Sequence, residues 1–279
     1  MLTGYLNSNK TPTRHYYKGC IRVLFAYVLF SVLTILFRKY YLGENGSWVQ
    51  WALKILDFSA IPYAWYIEMW IGLFLLTPFL NFMYKAIPSR RLKLVLIATL
   101  YVLTAVPDLF NRYGMHLVPG FWDSVFPLMF FFAGSYIKEY RPHPKKWLLA
   151  VAIILMSSIN PVFNLLFVHH HTLIQIAGGY SGVFGTLIAI SFFLLVYDTD
   201  FRSPAVRALL TKVSILSLDM YLCCYMFDRL VYPYFLSHYF VSQAQFGPYF
   251  FVVVPLVFAG SFVLAWMKDA VCKRISPLL

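Results

Sequence analysis

The sequence predicts an all-α protein, a polytopic membrane helical bundle of about eight transmembrane helices with both termini in the cytoplasm. Three observations predict this class: 61% of the residues are apolar, only 12% are charged, and long apolar stretches recur between short polar breaks. Soluble domains are about 45–50% apolar. An ordinary soluble enzyme is therefore excluded, and a single membrane domain over residues 1–279 is expected.

Each predicted span is an apolar stretch close to the roughly 20 residues that cross a bilayer as a helix. In chain order the spans are 20–37, 63–84, 92–109, 121–138, 147–167, 179–197, 213–236 and 249–267. The longest outer loop, 38–62, contains Trp48, Trp51 and a Leu-Lys-Ile-Leu segment. This loop favours a short amphipathic helix lying on the outer leaflet.

The basic residues alternate from loop to loop. Of the 23 Lys and Arg residues, seventeen lie in loops on one predicted side and four on the other, and Arg22 and Arg229 lie within or at the edges of spans. An excess of Lys and Arg marks cytoplasmic loops, so both termini are predicted to be cytoplasmic. The net charge of +12 then reflects topology and contact with anionic membrane lipid, and nucleic acid is not expected as a partner.

Cysteine and histidine spacing predicts no metal site. Cys20, Cys223, Cys224 and Cys272 contain no Cys-x-x-Cys pair, the usual spacing of a zinc site. Three adjacent histidines, 169–171, lack the i, i+4 spacing of a helical zinc site.

The span at 213–236 carries a polar stripe. Its members follow a three-four spacing, which places them on one helical face: Ser214, Ser217, Tyr221, Cys224 and Asp228. In lipid such a face points at other helices or at water. Two interpretations remain open, a face that lines a substrate cavity and a face that makes hydrogen bonds between helices.

Charged residues inside the spans fall at two depths. Glu68, about two turns into its apolar run, and Asp228 with Arg229 lie in the outer half, whereas Asp219 and Arg22 lie in the inner half. As a hypothesis, Glu68 and Asp228 are catalytic and orient or deprotonate a hydroxyl. The alternative is an ion pair of either carboxylate with Arg229.

Four segments resemble one known family. They are Trp65–Pro78, with Ile-Gly-Leu-Phe-Leu-Leu-Thr-Pro at its end, His15–Leu24, Phe130–Tyr136 and Val213–Leu222. Their order and spacing resemble the bacterial integral-membrane acyltransferase family 3. The sequence departs from the family pattern at Gly19, where an Arg is usual, and at Ala64 and Cys224, where many members carry a His.

The resemblance implies a membrane-bound acyltransferase of the bacterial cytoplasmic membrane. Its donor would be acetyl-CoA or another acyl-CoA, and its acceptor a hydroxyl of a cell-envelope glycan or related compound. Lys18 and Arg22, at the cytoplasmic mouth of their span, would bind the phosphate-rich donor, although a plain membrane anchor also fits them. The expected wall of the substrate cavity comprises Trp65, Tyr221, Tyr225, Asp219 and Arg229.

The first residues affect this expectation. Met1-Leu2-Thr3-Gly4-Tyr5-Leu6 resembles the end of the family's second helix, so the resemblance places the first helix, with the family's catalytic His, upstream of residue 1. An N-terminally incomplete and inactive homologue is therefore one alternative. The others are a non-enzymatic transporter of a lipid-linked or acidic solute and a structural membrane subunit.

Overall fold

Every regular element in the described residues is a helix, which confirms the all-α class. The structure, a computed structural model, describes residues 1–111, 116–167, 181–239 and 246–275, without the side chains of 160, 163–167 and 275. The elements are α1 (Leu2–Asn7), α2 (Arg14–Tyr40), α3 (Trp48–Leu56), α4 (Trp65–Ala86), α5 (Arg90–Phe110), a 3-10 helix (Gly120–Val125), α6 (Phe126–Tyr140), α7 (Lys146–Phe167), α8 (Val183–Val196), α9 (Pro204–His238) and α10 (Phe246–Ile275). Arg112 and the three histidines at 169–171 lie outside the described residues.

Each predicted span corresponds to a helix, but the helices differ in their ability to cross a membrane. Among the described residues five are long and apolar enough by length and composition: α2, α4, α5, α9 and α10. The predicted span at 121–138 begins in the 3-10 helix, so that α6 has only 15 residues and rises about 22 Å. The count of eight spans and the side of the termini stay predictions.

The chain divides into two compact units. The first unit contains Met1–Tyr16 and Gly72–Asp200, and the second contains Tyr17–Ile71 and Phe201–Leu279. Both units are discontinuous in sequence, and the expected single domain stays a prediction.

Two glycines bring α1 and α6 of the first unit together. A Cβ on Gly4 would meet the carbonyl oxygen of Phe131, and a Cβ on Gly134 would meet that of Met1. Small residues let helix backbones approach closely in membrane proteins. The Ser135 hydroxyl also donates to the Gly4 carbonyl oxygen at 3.4 Å, so α1 is held along one face of α6.

In the second unit α9 and α10 pack as an antiparallel pair. The Tyr232 and Phe246 rings lie 5.4 Å apart, and farther along the Lys268 ammonium lies 2.9 Å from an Asp219 oxygen. The adjacent core joins α2, the start of α4 and α9 through Tyr27, Phe30, Ile67 and Leu222, among others. The pair and this core together form the walls of the site described below.

The predicted amphipathic helix of the long loop is present as α3. Ser47 and Gln50 form a capping box at its N-terminus, and Trp51 is buried between the Arg38 guanidinium and the Lys54 ammonium, 5.1 and 4.3 Å from its ring. Such cation–π contacts contribute about 0.5–2 kcal/mol each. The helix is thus attached to the protein on one face, and its contact with the outer leaflet stays a prediction.

Candidate active site

The polar stripe of α9 lines a cavity between α9 and α10. The cavity has a volume of about 410 Å³, and four of the five stripe residues reach it: Ser217, Tyr221, Cys224 and Asp228. Its opposite wall comes from α10 and is apolar except for Ser261: Val253, Val254, Val257, Phe258 and Ser261. The stripe therefore faces a hollow, and its role in binding a substrate stays a prediction.

Asp228 is the carboxylate among the residues that line this cavity, and the hydroxyl of Tyr63 holds it in place. The Tyr63 hydroxyl donates to Oδ2 of Asp228 at 3.3 Å, from the turn that precedes α4. A phenol hydroxyl is a hydrogen-bond donor at neutral pH.

Arg229 does not neutralise this carboxylate. It is exposed, and its guanidinium carbon lies 5.4 Å from the centre of the Tyr225 ring. Within the part of the chain that the structure describes, neither Asp228 nor Glu68 forms an ion pair with Arg229. The ion-pair alternative is therefore not what the structure shows.

A second cavity lies on the other side of Tyr221. It has a volume of about 470 Å³ and is bounded by α2, α4 and α9. Ser217 and Tyr221 line both cavities. The Tyr221 hydroxyl donates to the Tyr63 carbonyl oxygen, and its ring meets that of Tyr66 edge-on at 5.6 Å. Tyr221 is thus held in place where it lines both cavities.

Glu68 lies elsewhere than predicted. The apolar run begins at Ile61, but residues 61–64 form a turn and α4 begins only at Trp65. Glu68 is therefore in the first turn of the helix, exposed, and not two turns deep. A carboxylate there is stabilised by the positive end of the helix dipole, and Glu68 lines neither cavity. Its catalytic role stays a prediction.

The remaining residues expected in the cavity wall lie around the two cavities but do not line them. Asp219 accepts from Lys268 at 3.0 and 2.9 Å, which closes a buried ion pair. Tyr225 belongs to the core between α2, α4 and α9, Trp65 is 38% exposed at the start of α4, and Arg229 is exposed. Of the five, Tyr221 is the one that lines either of these two cavities.

A family model described as an acyltransferase domain, that of acyltransferase family 3, matches residues 1–266 of the 279. The chain belongs to acyltransferase family 3. Neither a curated protein nor a solved structure matches it. Its apolar helices and this family together make it an integral membrane protein of the acyltransferase class.

Three of the four segments that carry the family resemblance line the second cavity. Its seven lining residues are Val23 from His15–Leu24, Tyr66, Ile67 and Trp70 from Trp65–Pro78, and Ser217, Leu218 and Tyr221 from Val213–Leu222. The fourth segment, Phe130–Tyr136, does not line it. Lys18 and Arg22, the predicted donor-binding residues, are exposed on α2, and Arg22 immediately precedes Val23.

Sequence reasoning missed Tyr63 and the wall from α10. Tyr63 lies in an apolar run with many aromatic residues, and nothing local distinguishes it from Tyr66. Ser261 lines the α9–α10 cavity and is the one hydroxyl residue in the apolar stretch 250–266. A lone hydroxyl in such a stretch is the sequence feature from which the α10 wall could have been predicted. Within the described ranges, no group of three His, Cys, Asp or Glu side chains could hold a metal ion.

Proposed function

We propose that this family 3 member transfers an acyl group from acyl-CoA to a hydroxyl of a cell-envelope glycan or related acceptor. The proposed acyl group is acetyl. The acyl donor would enter the cavity between α2, α4 and α9, with its phosphates near Lys18 and Arg22. The acceptor hydroxyl would approach Asp228 from the cavity between α9 and α10. The proposed membrane is the bacterial cytoplasmic membrane.

The observation that carries the proposal is the convergence of three family-like segments on one cavity that shares Tyr221 and Ser217 with the cavity of Asp228. A transfer reaction needs the donor and the acceptor to be bound next to each other. Two cavities that share the lining residues Tyr221 and Ser217 would place them so. Holding two reactants aligned can supply about 7–11 kcal/mol of the barrier reduction.

The proposed step uses Asp228 as the base. The acceptor oxygen forms a bond to the thioester carbonyl carbon, the carbon–sulfur bond breaks, and the acceptor proton passes to Asp228 and then to the departing thiolate. Tyr63 already donates to one Asp228 oxygen at 3.3 Å. That bond orients the carboxylate and leaves acceptor positions on it for the substrate hydroxyl.

The test is acetyl transfer by the purified full chain in lipid nanodiscs, followed with radiolabelled acetyl-CoA and membrane glycan. Asp228→Asn should lower the transfer rate about 10²- to 10⁴-fold, the usual contribution of general-base catalysis. Asp123→Asn is the matched control, because Asp123 is exposed and lines neither cavity. Glu68→Gln tests the second predicted carboxylate in the same assay.

Three results would contradict parts of this proposal. Normal transfer by the Asp228→Asn variant removes Asp228 from the reaction. Absence of acetyl-CoA binding and turnover, together with flux of an acidic solute into proteoliposomes, would replace acyl transfer with transport. Binding of acetyl-CoA that persists in the Lys18→Gln and Arg22→Gln variants would displace the donor from that end of α2.

A further inference from the structure

A third cavity, in the first unit, differs in chemistry from the two already described. Its volume is about 400 Å³, and its lining includes Lys85, Lys93, Lys138, Tyr84, Ser8 and Asn9. Its walls come from the turn after α1 and from α4, α5 and α6. Ligand sites commonly have volumes of about 300–1,000 Å³, so this space can hold more than a water molecule or a simple ion.

The cavity carries a surplus of positive charge. Three lysines face one carboxylate, Glu139. The Lys93 ammonium lies 2.8 Å from both Glu139 oxygens and 4.5 Å from the Tyr84 ring, so this pair is satisfied. In the described part of the chain, Lys85 and Lys138 form no ion pair, although the Lys138 ammonium lies 4.8 Å from the centre of the Tyr5 ring. No carboxylate therefore neutralises these two charges among the described residues.

Neutral hydrogen-bond donors lie beside these charges. Tyr84 is 6% exposed, and its buried hydroxyl lies next to the Glu139 carboxylate. Ser8, Asn9 and Ser135 add hydroxyl and amide groups to the same lining.

The cavity is built on a rigid frame. The Asn81 side-chain amide donates to the carbonyl oxygens of Asn7 and Lys10 at 2.7 and 2.8 Å, which fixes the turn that carries Ser8 and Asn9. The glycine contacts hold α1, which leads into this turn, against α6. Lysines that only anchor loops to lipid head groups need neither this frame nor a buried phenol.

We propose that this cavity binds a phosphoryl group, carried by a lipid head group or by a free phosphate ester. Two ammonium groups and several neutral donors around a polar hollow match a compact anion that only accepts hydrogen bonds. Lys18 and Arg22, which the proposed acyl transfer assigns to the donor, are not among the residues that line this cavity. The inference goes beyond that function and does not depend on it.

The experiment uses the full chain in dodecyl maltoside micelles, which contain no phosphate. Pyrophosphate and phosphatidylglycerol are the two probes, measured in separate titrations by calorimetry and by native mass spectrometry. Lys85→Gln and Lys138→Gln should each weaken binding of the preferred probe roughly tenfold, as expected for loss of a charge-assisted hydrogen bond, and Tyr84→Phe several-fold. Lys145→Gln is the control, because Lys145 is exposed and outside the cavity.

The titrations distinguish a lipid head group from a free phosphate ester, and they can also contradict the proposed site. Pyrophosphate binding that depends on Lys85 and Lys138 supports a free phosphate ester, and phosphatidylglycerol binding with the same dependence supports a lipid. Binding of neither probe, or equal weakening by Lys145→Gln, overturns the proposal. Neither probe carries an acyl thioester, so failure of the acyl-transfer test leaves this result in place.

Discussion

Two carboxylates on α9, those of Asp219 and Asp228, differ in the partner that each contacts, and the partner determines whether a substrate can reach the carboxylate. Asp219 meets the Lys268 ammonium with both oxygens, at 3.0 and 2.9 Å, and removing one member of such a pair commonly costs about 3–5 kcal/mol. Asp228 meets a neutral phenol with one oxygen, at 3.3 Å, and borders a cavity. Only the second arrangement leaves a carboxylate that a substrate can reach.

Tyr63 is expected to position Asp228. Tyr63→Phe removes the donated hydrogen bond but keeps the ring, so the carboxylate loses its orientation while the cavity keeps its shape. We expect kcat for acetyl transfer to fall about tenfold, the value of one such hydrogen bond, with KM unchanged. Tyr234→Phe, at an exposed position on the same helix as Asp228, is the control. A change in KM or in thermal stability alone would assign Tyr63 a structural role.

Glu44 should make the stability of the long loop depend on pH. Three N–H···O contacts from the Arg38 guanidinium, at 2.7–3.0 Å, hold the pKa of Glu44 below its ordinary value of 4.5. The folded state thus favours the carboxylate, so this stabilisation is complete above about pH 4.5 and is lost as the pH falls through the lower folded pKa.

The measurement is the thermal unfolding of the wild type and of Glu44→Gln between pH 7 and pH 3. The side chain of Glu44 is 35% exposed, so the difference at pH 7 should be at most about 1 kcal/mol and should vanish at the acid end. A difference that stays constant over this range would mean that the Arg38 contact does not favour the ionised form.

At the scale of elements, apolar length and helix length are different quantities. The run from Ile61 is continuous in composition, but the peptide turns at residues 61–64 before α4 begins. This turn brings Tyr63 to Asp228 and places Glu68 at a helix N-terminus. The span at 121–138 likewise divides into a 3-10 helix and α6. In both places a local change of backbone geometry determines which side chains reach the interior.

The packing of α1 against α6 should be sensitive to a single methyl group. Gly134→Ala places a Cβ against the Met1 carbonyl oxygen, which is backbone and cannot move aside as a side chain can. We expect a loss of about 1–3 kcal/mol, the usual cost of overpacking, measured by thermal unfolding in detergent.

Gly72→Ala is the matched control. Gly72 lies inside α4, and a Cβ there would meet no atom within 4 Å. Alanine is the better helix former by up to about 1 kcal/mol, so this variant should be as stable as the wild type or more so. Equal destabilisation of both variants would contradict the close approach of α1 and α6.

At the scale of the whole molecule, the distribution of basic residues predicts a topology that labelling can test. In a chain with its four cysteines replaced, single cysteines at Asn45 and Leu117 should react with an impermeant maleimide on intact cells. Cysteines at Pro88 and Lys145 should react only after permeabilisation. All four positions are exposed or between helices, and the positive-inside bias gives the expected sides.

The labelling also tests whether the predicted span at 121–138 crosses the membrane. Leu117 and Lys145 flank the 3-10 helix and the 15-residue α6. Opposite sides for these two positions would show that the pair crosses the membrane despite its short α-helix. The same side for both would remove one span and reverse the predicted orientation of every element after it.

Composition and periodicity were enough to predict the helical class, the approximate positions of the long helices and the α9 face that meets the cavity. These properties are local, since apolar content and a three-four spacing require only neighbouring residues. The cavity wall was also partly predictable, because Ser217, Tyr221, Cys224 and Asp228 lie on that face.

Only the tertiary structure decided which partners these side chains have. Tyr63 and Asp228 are 165 residues apart, Asp219 and Lys268 are 49 apart, and Lys93 and Glu139 are 46 apart. No local pattern marks such pairs, because their contact depends on how whole helices pack and on where α4 begins. The sequence determined which residues are polar within an apolar chain, and packing determined which of them are neutralised and which face a cavity.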